Sequence, residues 1–183
     1  MNPCRALILF ALALPVAACG HSIGDSCSQG SDCAQDGTRI CDLASPDGYC
    51  TKVGCDFASC PSEAVCVRFY PGLNSDRSCD PMDPGDACGI DMVCTVAGVC
   101  APRSIEQRYC MLACDGDGDC RGGYECRTLE VMKVHGGEPV PDPEATIQAD
   151  PTPFCAAAPG CLNDADCVDP GYHCTTDRYC VRD

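Results

Sequence analysis

Cysteine is the residue type in this sequence with the most distinctive chemistry. The chain has 22 cysteines among 183 residues, which is above the roughly 8–10% at which a short secreted chain indicates a disulfide scaffold. Thiols can also bind zinc, but zinc sites favour two cysteines separated by two residues. The closest pair here, Cys110 and Cys114, is separated by three residues. The spacing therefore favours disulfides over a zinc site or a thioredoxin-like redox centre.

Twenty of the cysteines fall into five blocks of four that share a spacing. In each block the first gap is four or five residues, the second is five to seven, and the third varies from five to 28. Four cysteines allow three pairings, and spacing alone does not select one; the pairing predicted here joins the first to the third and the second to the fourth. The blocks are Cys27, Cys33, Cys41 and Cys50; Cys55, Cys60, Cys66 and Cys79; Cys88, Cys94, Cys100 and Cys110; Cys114, Cys120, Cys126 and Cys155; and Cys161, Cys167, Cys174 and Cys180.

The residues inside a block favour one small β-hairpin. Block four reads CDGDGDCRGGYEC and block five reads CLNDADCVDPGYHC, so each has an acidic turn before the second cysteine and a glycine turn before the third. A lone hairpin is marginal in water, and cross-links within the block would stabilise it. The spacings C-x-x-D-x-D-C and G-Y-x-C resemble those of small extracellular cysteine modules. This resemblance implies a disulfide-rich array and no particular activity.

Composition predicts that disulfides replace much of a hydrophobic core. The chain has no Trp, four Phe and six Tyr, and small domains without a sufficient core usually need disulfides or metals. The predicted fold class is a small disulfide-rich protein of tandem short β-hairpin modules with little regular secondary structure, preceded by a signal-peptide helix.

A longer duplication sets the predicted domains. The sequence GDSC opens block one and GDAC opens block three, while a Tyr-Cys pair closes blocks one, three and five. Blocks one and two therefore look duplicated as blocks three and four. The predicted domains are a signal peptide at 1–18, a lipidated tether at 19–26, a first repeat at 27–79, a second repeat at 88–155 with an insertion at 128–154, and a final module at 161–180.

The N-terminus has the features of an export signal. Arg5 precedes an uncharged apolar run over 6–16, which is too short to span a bilayer but is typical of a signal peptide. The sequence VAACG at 16–20 resembles the lipobox of bacterial lipoproteins, which implies cleavage before Cys19 and a diacylglyceryl group on its sulfur. Ordinary signal cleavage after Ala18 is the alternative.

The number of cysteines favours the lipidated form. Removal of Cys4 with the signal peptide leaves 21 cysteines, and lipidation of Cys19 leaves 20, which can all pair. In the lipoprotein family an aspartate after the lipidated cysteine commonly retains the protein at the inner membrane, whereas here Gly20 follows. The resemblance therefore implies an exported protein, anchored to the bacterial outer membrane or cell surface through the lipid on Cys19.

Charge narrows the possible partners. The net charge is −15 and the pI is about 4.3, so we expect no nucleic-acid binding. Asp115, Asp117 and Asp119 alternate as calcium ligands do, which makes them a weak candidate metal site. However, Cys120 stands where a calcium loop needs glycine, and Cys126 stands where it needs glutamate. An Asx turn between two cysteines is the competing interpretation, and no other metal site or cofactor is predicted.

The sequence offers little for catalysis. Its three histidines, His21, His135 and His173, are isolated, and neither a Gly-x-Ser-x-Gly elbow nor a phosphate-binding glycine loop occurs. We therefore predict a non-enzymatic surface lipoprotein with a structural or binding role toward an unknown protein or surface ligand. The predicted contact segments are 67–78 and 128–154. In the latter, 129–134 could pair as a strand and the Pro-rich, acidic remainder is expected to be mobile.

Two alternative functions remain open from the sequence. A stapled module with one protruding loop could be a protease inhibitor, and Arg68, Arg77 or Arg103 could then enter a trypsin-like pocket. A calcium-binding surface module is the other alternative.

Overall fold

The computed structural model describes residues 20–83, 88–145, 150–167, 170–176 and 179–182. The predicted signal peptide at 1–18 and the predicted lipidation site, Cys19, lie outside the described residues. Within the part of the chain that is described, no helix is long and apolar enough to cross a membrane.

Short antiparallel strand pairs make up most of the regular structure, so the predicted disulfide-rich fold class is confirmed. The described residues also include two short α-helices and three single 3₁₀ turns, at Arg103–Ile105, Asp117–Asp119 and Asp164–Asp166. The helices and strands are α1 (Gly30–Cys33), β1 (Ile40–Asp42), β2 (Tyr49–Thr51), β3 (Ala64–Phe69), β4 (Met92–Cys94), β5 (Cys100–Pro102), β6 (Gln107–Leu112), β7 (Tyr124–Arg127), α2 (Leu129–His135), β8 (Glu138–Pro139), β9 (Phe154–Ala157), β10 (Tyr172–Cys174) and β11 (Cys180–Arg182).

Ten disulfides join the twenty cysteines of the blocks. The predicted order, first to third and second to fourth, is confirmed for eight of them. It is wrong for the other two, because Cys60 pairs with Cys110 and Cys79 pairs with Cys94. The eight are Cys27–Cys41, Cys33–Cys50, Cys55–Cys66, Cys88–Cys100, Cys114–Cys126, Cys120–Cys155, Cys161–Cys174 and Cys167–Cys180.

The two exceptions redefine the second and third blocks. When Cys79 and Cys110 exchange places, every group of four again pairs first to third and second to fourth. We call these groups modules one to five. Module two then consists of Cys55, Cys60, Cys66 and Cys110, and module three consists of Cys79, Cys88, Cys94 and Cys100. Module three is inserted between the third and fourth cysteines of module two. Two disulfides, Cys60–Cys110 and Cys79–Cys94, therefore join residues of the two predicted repeats, 27–79 and 88–155.

Each module has the same internal arrangement. Its third and fourth cysteines face each other across an antiparallel strand pair, and both reach back to the segment that carries the first and second cysteines. The hairpin is thereby clamped onto the loop that precedes it. The facing pairs are Cys41 with Cys50, Cys66 with Cys110, Cys94 with Cys100, Cys126 with Cys155 and Cys174 with Cys180.

One three-stranded sheet lies at the centre of the fold. Strand β3 pairs with β6 over six residues on one edge and with the short β8 on the other. The largest core cluster packs around this sheet, with Phe69 edge-on to Phe154 at 6.0 Å and Tyr49 stacked on Tyr124 at 5.2 Å between ring centroids. Its buried members are Ile23, Tyr49, Cys55, Cys66, Val67, Cys110, Met111, Tyr124, Met132, Val140, Phe154 and Ala156.

The insertion at 128–154 differs from its prediction. Residues 129–134, predicted as a possible strand, belong to helix α2, because the apolar residues Leu129 and Met132 are three apart and so share a helical face, on which Met132 is fully buried. The helix ends where Gly136, with φ of 75°, donates its N–H to the carbonyl of Met132. The next part, expected to be mobile, is packed instead: a Cβ on Gly137 would stand 2.6 Å from the Phe69 ring, and Glu138 and Val140 are buried.

The predicted tether is also packed against the fold. The side chain of Ile23 is 1% exposed and belongs to the main core. The N–H of Gly24 donates to the carbonyl of Cys50 at 3.0 Å, and the guanidinium of Arg39 donates to the carbonyl of His21. Residues 20–26 are therefore a part of the folded domain and do not form a free linker.

Candidate functional site

The two predicted contact segments meet through their buried parts. Val67 faces Pro139, and Arg68 faces Glu138, in the antiparallel pairing of β3 with β8. Because the strands are antiparallel, the exposed parts leave at opposite ends of this pair. Residues 71–77 follow the end of β3, whereas Val140 hydrogen-bonds Cys66 near its beginning and leads into 141–145. The structure thus joins the two segments through the pairing of β3 with β8. It does not form one surface from their exposed loops.

A buried ion pair links β3 to β8. The guanidinium of Arg68 donates to Oε1 of Glu138 at 2.7 Å, and their side chains are 14% and 4% exposed. The other carboxylate oxygen accepts the N–H of Val96 at 2.6 Å, which connects module three to the sheet. Burial raises the pKa of Glu138 above its ordinary value, although Arg68 acts in the opposite direction. Sequence reasoning missed Glu138 because nothing in its neighbourhood signals a buried carboxylate.

The segment at 141–153, of which the structure describes 141–145 and 150–153, connects β8 to β9 within the insertion. Its described residues are mostly exposed and include Asp142, Glu144 and Asp150, with no Lys or Arg among 141–153. Both ends are fixed: Val140 is buried, and the carbonyl of Pro153 accepts the N–H of Cys114 at 3.2 Å before the fully buried Phe154. The segment is therefore an acidic, Pro-rich loop whose two ends are held by the core.

A second buried charge cluster lies beneath helix α2. Oε1 of Glu125 lies 2.7 Å from Nδ1 of His135 and accepts a hydrogen bond from Nε of Arg127 at 3.0 Å. All three side chains are at most 10% exposed. The second oxygen of Glu125 is buried and has no hydrogen-bond partner among the residues that the structure describes. The ring of Tyr172, in module five, meets the imidazole edge-on at 5.9 Å.

The contacts of this cluster indicate a structural role. The guanidinium of Arg127 donates to the carbonyls of His135, Gly136 and Ala157, each at 2.9 Å, and so connects the end of α2 to β9. Burial lowers the pKa of Arg127 from its ordinary value. An imidazole beside a carboxylate could serve as a general base with its orienting group. Here the imidazole is covered by Tyr172, and the hydrogen bonds of the neighbouring charges hold backbone together.

The other two histidines lie apart from this cluster. Nδ1 of His21 is 3.0 Å from the carbonyl of Ser26 in the tether. His173 is exposed on β10. Because successive side chains of a strand point to opposite faces, its side chain points away from the face that carries Tyr172. The structure does not bring the three histidines together.

The structure does not gather the candidate calcium ligands. Oδ2 of Asp119 accepts the N–H groups of Asp115 and Gly116, and Oδ1 of Asp117 accepts the N–H of Cys126 at 2.8 Å. Two of the three carboxylates therefore shape the loop, as the Asx-turn interpretation requires. Among the described residues, the groups of potential ligands close enough to share an ion are cysteine triplets that already form disulfides.

This use of aspartate recurs in other modules. The residue before the second cysteine accepts N–H groups from the residues that follow the first, through Asp32 in module one and Asp166 in module five. Ser59 takes the same position in module two, where its Oγ accepts the N–H of Asp56 at 2.7 Å. The recurrence of a short acceptor before the second cysteine was the signal that could have identified this role.

The three arginines of the inhibitor hypothesis are held by the fold. Arg68 lies in the buried ion pair described above. Arg77 is exposed, but its carbonyl accepts the N–H of Cys100 at 2.9 Å, and the carbonyl of Arg103 accepts the N–H of Glu106 in a 3₁₀ turn. A protease would need the backbone at such a residue to be accessible for attack. The geometry therefore does not favour any of the three as the residue that enters a protease.

Arg121 is a further residue that the sequence did not single out. Its guanidinium lies 4.1 Å from the Tyr124 ring centroid and donates to the carbonyls of Gly24, Pro46 and Gly48. It therefore connects module four to both the tether and module one.

Two shallow pockets flank the start of the described chain. One is lined by Gly20, Gln35 and Arg39 among others, and the second by His21, Ser28 and Asp47 among others. Both lie on module one beside residues 20–21, which directly follow the predicted lipidation site.

Comparison with protein-family models, with curated proteins and with solved structures finds no match to this chain.

Proposed function

We propose that this chain is an exported bacterial lipoprotein, lipidated on Cys19, that acts without catalysis by presenting a binding loop from a disulfide-stapled scaffold. The observation that carries the proposal is the acidic loop at 141–153, whose described residues, 141–145 and 150–153, are mostly exposed and lie between Val140 and Phe154, which are both buried. Ten disulfides indicate an oxidising, extracytoplasmic environment, which supports export. The VAACG motif at 16–20 supports the lipid anchor.

The chemistry of the loop defines the partner that it fits. Its acidic side chains include Asp142 and Glu144, and its prolines limit the conformations that an unbound loop can adopt. Fixed ends and few accessible conformations reduce the entropy that binding must remove. A cationic protein surface is therefore the favoured partner, and the net charge of −15 would speed the encounter with it.

The lipid anchor is tested on the purified native protein. Intact mass measurement should show the chain beginning at Cys19 with acyl chains attached and with no free thiol. Partition into a detergent-rich phase should be lost in Cys19→Ser. An unmodified mass for the native protein, or equal partition of both proteins, would refute lipidation.

The binding loop is tested by replacing residues 142–152 with a Gly-Ser segment of equal length. The matched control replaces 71–76, the other exposed loop, in the same way. Both variants should keep all ten disulfides. On intact cells, only the first should fail to cross-link to a cationic partner that the unaltered protein captures. Retention of the same partner by both variants would remove the loop from the proposal.

The contacts of the fold disfavour the two alternatives, a protease inhibitor and a calcium-binding module. The backbone carbonyls of Arg77 and Arg103 are engaged within the fold, and Asp117 and Asp119 are engaged in their own loop.

A further inference from the structure

We infer that module one lies directly on the lipid bilayer, with the face around Gly20, Gln35 and Arg39 against the lipid headgroups. We call this surface the anchor face. The inference rests on the proposed lipidation of Cys19 and extends it, because it fixes the orientation of the protein on the membrane.

The described segment that follows Cys19 is not a spacer. Ile23 is buried in the main core, and Gly24 is held by the carbonyl of Cys50 and packs against Leu112. Closer to the anchor, the N–H of His21 donates to the carbonyl of Asp32 at 3.4 Å, and the carbonyl of His21 accepts from Arg39. Each of these contacts ties the segment to the body of the protein.

The distance between Cys19 and the folded surface is short. A flexible linker of seven residues would separate its ends by about 15 Å on average, which would let the domain rotate freely above the membrane. Here Gly20 already lies against module one, since a Cβ on it would stand 3.2 Å from the carbonyl of Cys33. Consecutive Cα atoms are about 3.8 Å apart, so a lipid on Cys19 enters the bilayer within one residue of the folded surface.

The side chains of the anchor face can contact lipid headgroups. Arg39 lines the pocket beside Gly20 and can donate to lipid phosphates, which guanidinium groups bind well. The next residue, Ile40, is 42% exposed and is suited to the interface with the acyl chains. Asp36 lies in the same pocket, so the attachment point, and not an excess of positive charge, selects this face. The net charge of −15 opposes general adsorption of the protein on anionic lipids, so the lipid attachment has to hold the protein at the membrane.

The absence of tryptophan from the chain makes a direct test possible. Gln35→Trp places one reporter on the anchor face at an exposed position, and Ile90→Trp places the control in module three, where Ile90 is 95% exposed. Each lipidated variant is incorporated into phosphatidylcholine vesicles with or without bromine on the upper acyl-chain carbons. We expect loss of emission from Trp at position 35 in brominated vesicles and unchanged emission from Trp at position 90.

A linker variant separates orientation from anchoring. Insertion of a ten-residue Gly-Ser segment between Gly20 and His21 should abolish quenching at position 35 while the protein still floats with the vesicles. Thr38→Trp, at another exposed position that lines the same pocket, repeats the measurement should Gln35→Trp lose disulfides.

The possible failures are distinguishable. Protein that floats with vesicles but shows no quenching at positions 35 and 38, or equal quenching at positions 35 and 90, overturns the anchor face and leaves lipidation intact. Protein that carries no acyl mass and does not float refutes the proposed lipid anchor itself.

Discussion

Modules two and four differ from modules one, three and five in one respect. In modules two and four a long segment separates the third and fourth cysteines: module three lies between Cys66 and Cys110, and the insertion lies between Cys126 and Cys155. In the other three modules the four cysteines follow one another without such a segment. We call the first pair the interrupted modules and the other three the continuous modules.

The disulfide pattern is the same in both classes, but the core is not. Most buried residues of the main core lie in the interrupted modules or in the segment that interrupts module four. Module one adds Tyr49 and the tether adds Ile23, whereas modules three and five add no buried residue among those described. Two disulfides thus suffice to hold a hairpin, and a hydrophobic core forms where a longer segment brings apolar residues such as Met132 and Phe154.

The largest expected effect comes from removing one disulfide from each class. Cys60→Ala with Cys110→Ala opens a bridge of sequence separation 50, and Cys161→Ala with Cys174→Ala opens one of separation 13. The chain-entropy model gives a loss of about 4 kcal/mol for the first and about 3 kcal/mol for the second. The first should lower the stability of the whole core, because Cys110 faces Cys66 at the centre of the sheet.

Thermal unfolding combined with hydrogen exchange resolved by module checks this prediction. The loss of Cys60–Cys110 should increase exchange in modules one, two and four together. The loss of Cys161–Cys174 should increase exchange in module five alone. Increased exchange confined to module two after the first change would show that the interrupted modules do not share a core.

The cysteine spacing predicted the stapling well because it is a local property. Gap lengths and the Gly-Tyr-x-Cys turn indicate the hairpins, whereas the order of pairing within a module, although predicted correctly for eight bridges, was one of three that the spacing allowed. The membership of Cys110 could not be read in this way, since it depends on the pairing of β3 with β6 across an inserted module. The sequence LEVMKV fits a strand or a helix because its apolar run is short, so neither α2 nor the Glu125–His135 contact that it positions was predictable.

The next effect concerns how module five docks on module four. Gly123 has φ of 81°, and a Cβ there would stand 2.9 Å from the ring of Tyr179. Gly123→Ala should therefore cost about 1–3 kcal/mol through overpacking and backbone strain. Gly171→Ala is the matched control, because Gly171 also has φ of 81° but faces open space.

Limited proteolysis of the segment between modules four and five measures this docking. Gly123→Ala should be cut faster than Gly171→Ala at equal protease concentration, since only the former displaces Tyr179 from module four. Equal cutting rates would indicate that backbone strain alone, and not the ring contact, governs the docking.

One carboxylate from each class should make the stability of the fold depend on pH, and the two dependences should have opposite signs. The raised pKa of Glu138 means that the folded protein binds its proton more tightly than the unfolded chain, so its contribution to stability decreases as pH rises from its ordinary value of 4.5 toward the raised value. In module one, hydrogen bonds from Ser28 and Gln29 lower the pKa of Asp32, whose contribution is complete above its ordinary value of 3.8 and is lost as pH falls through the lowered value.

Denaturant unfolding of the native protein, Glu138→Gln and Asp32→Asn over pH 3 to 7 would reveal this contrast. The native protein should gain stability relative to Glu138→Gln as the pH falls, and lose stability relative to Asp32→Asn. A native protein that loses stability relative to both variants on acidification would contradict the assigned direction for Glu138.

The smallest expected effect concerns the loop that both classes share. Asp166 in module five and Asp119 in module four each accept two N–H groups after the first cysteine, so replacing either by Ala should cost about 1 kcal/mol, as the loss of a helix N-cap does. Asp119→Ala should lower global stability by about that amount without opening its loop locally, because the core also holds module four through Tyr124. Asp166→Ala should instead lower the local protection of module five, which has no buried residue of the main core among its described residues. Hydrogen exchange at the two loops compares the variants directly. Equal loss of protection in both modules would mean that the core gives its loops no support beyond the disulfides, and the distinction between the two classes would then be confined to their interiors.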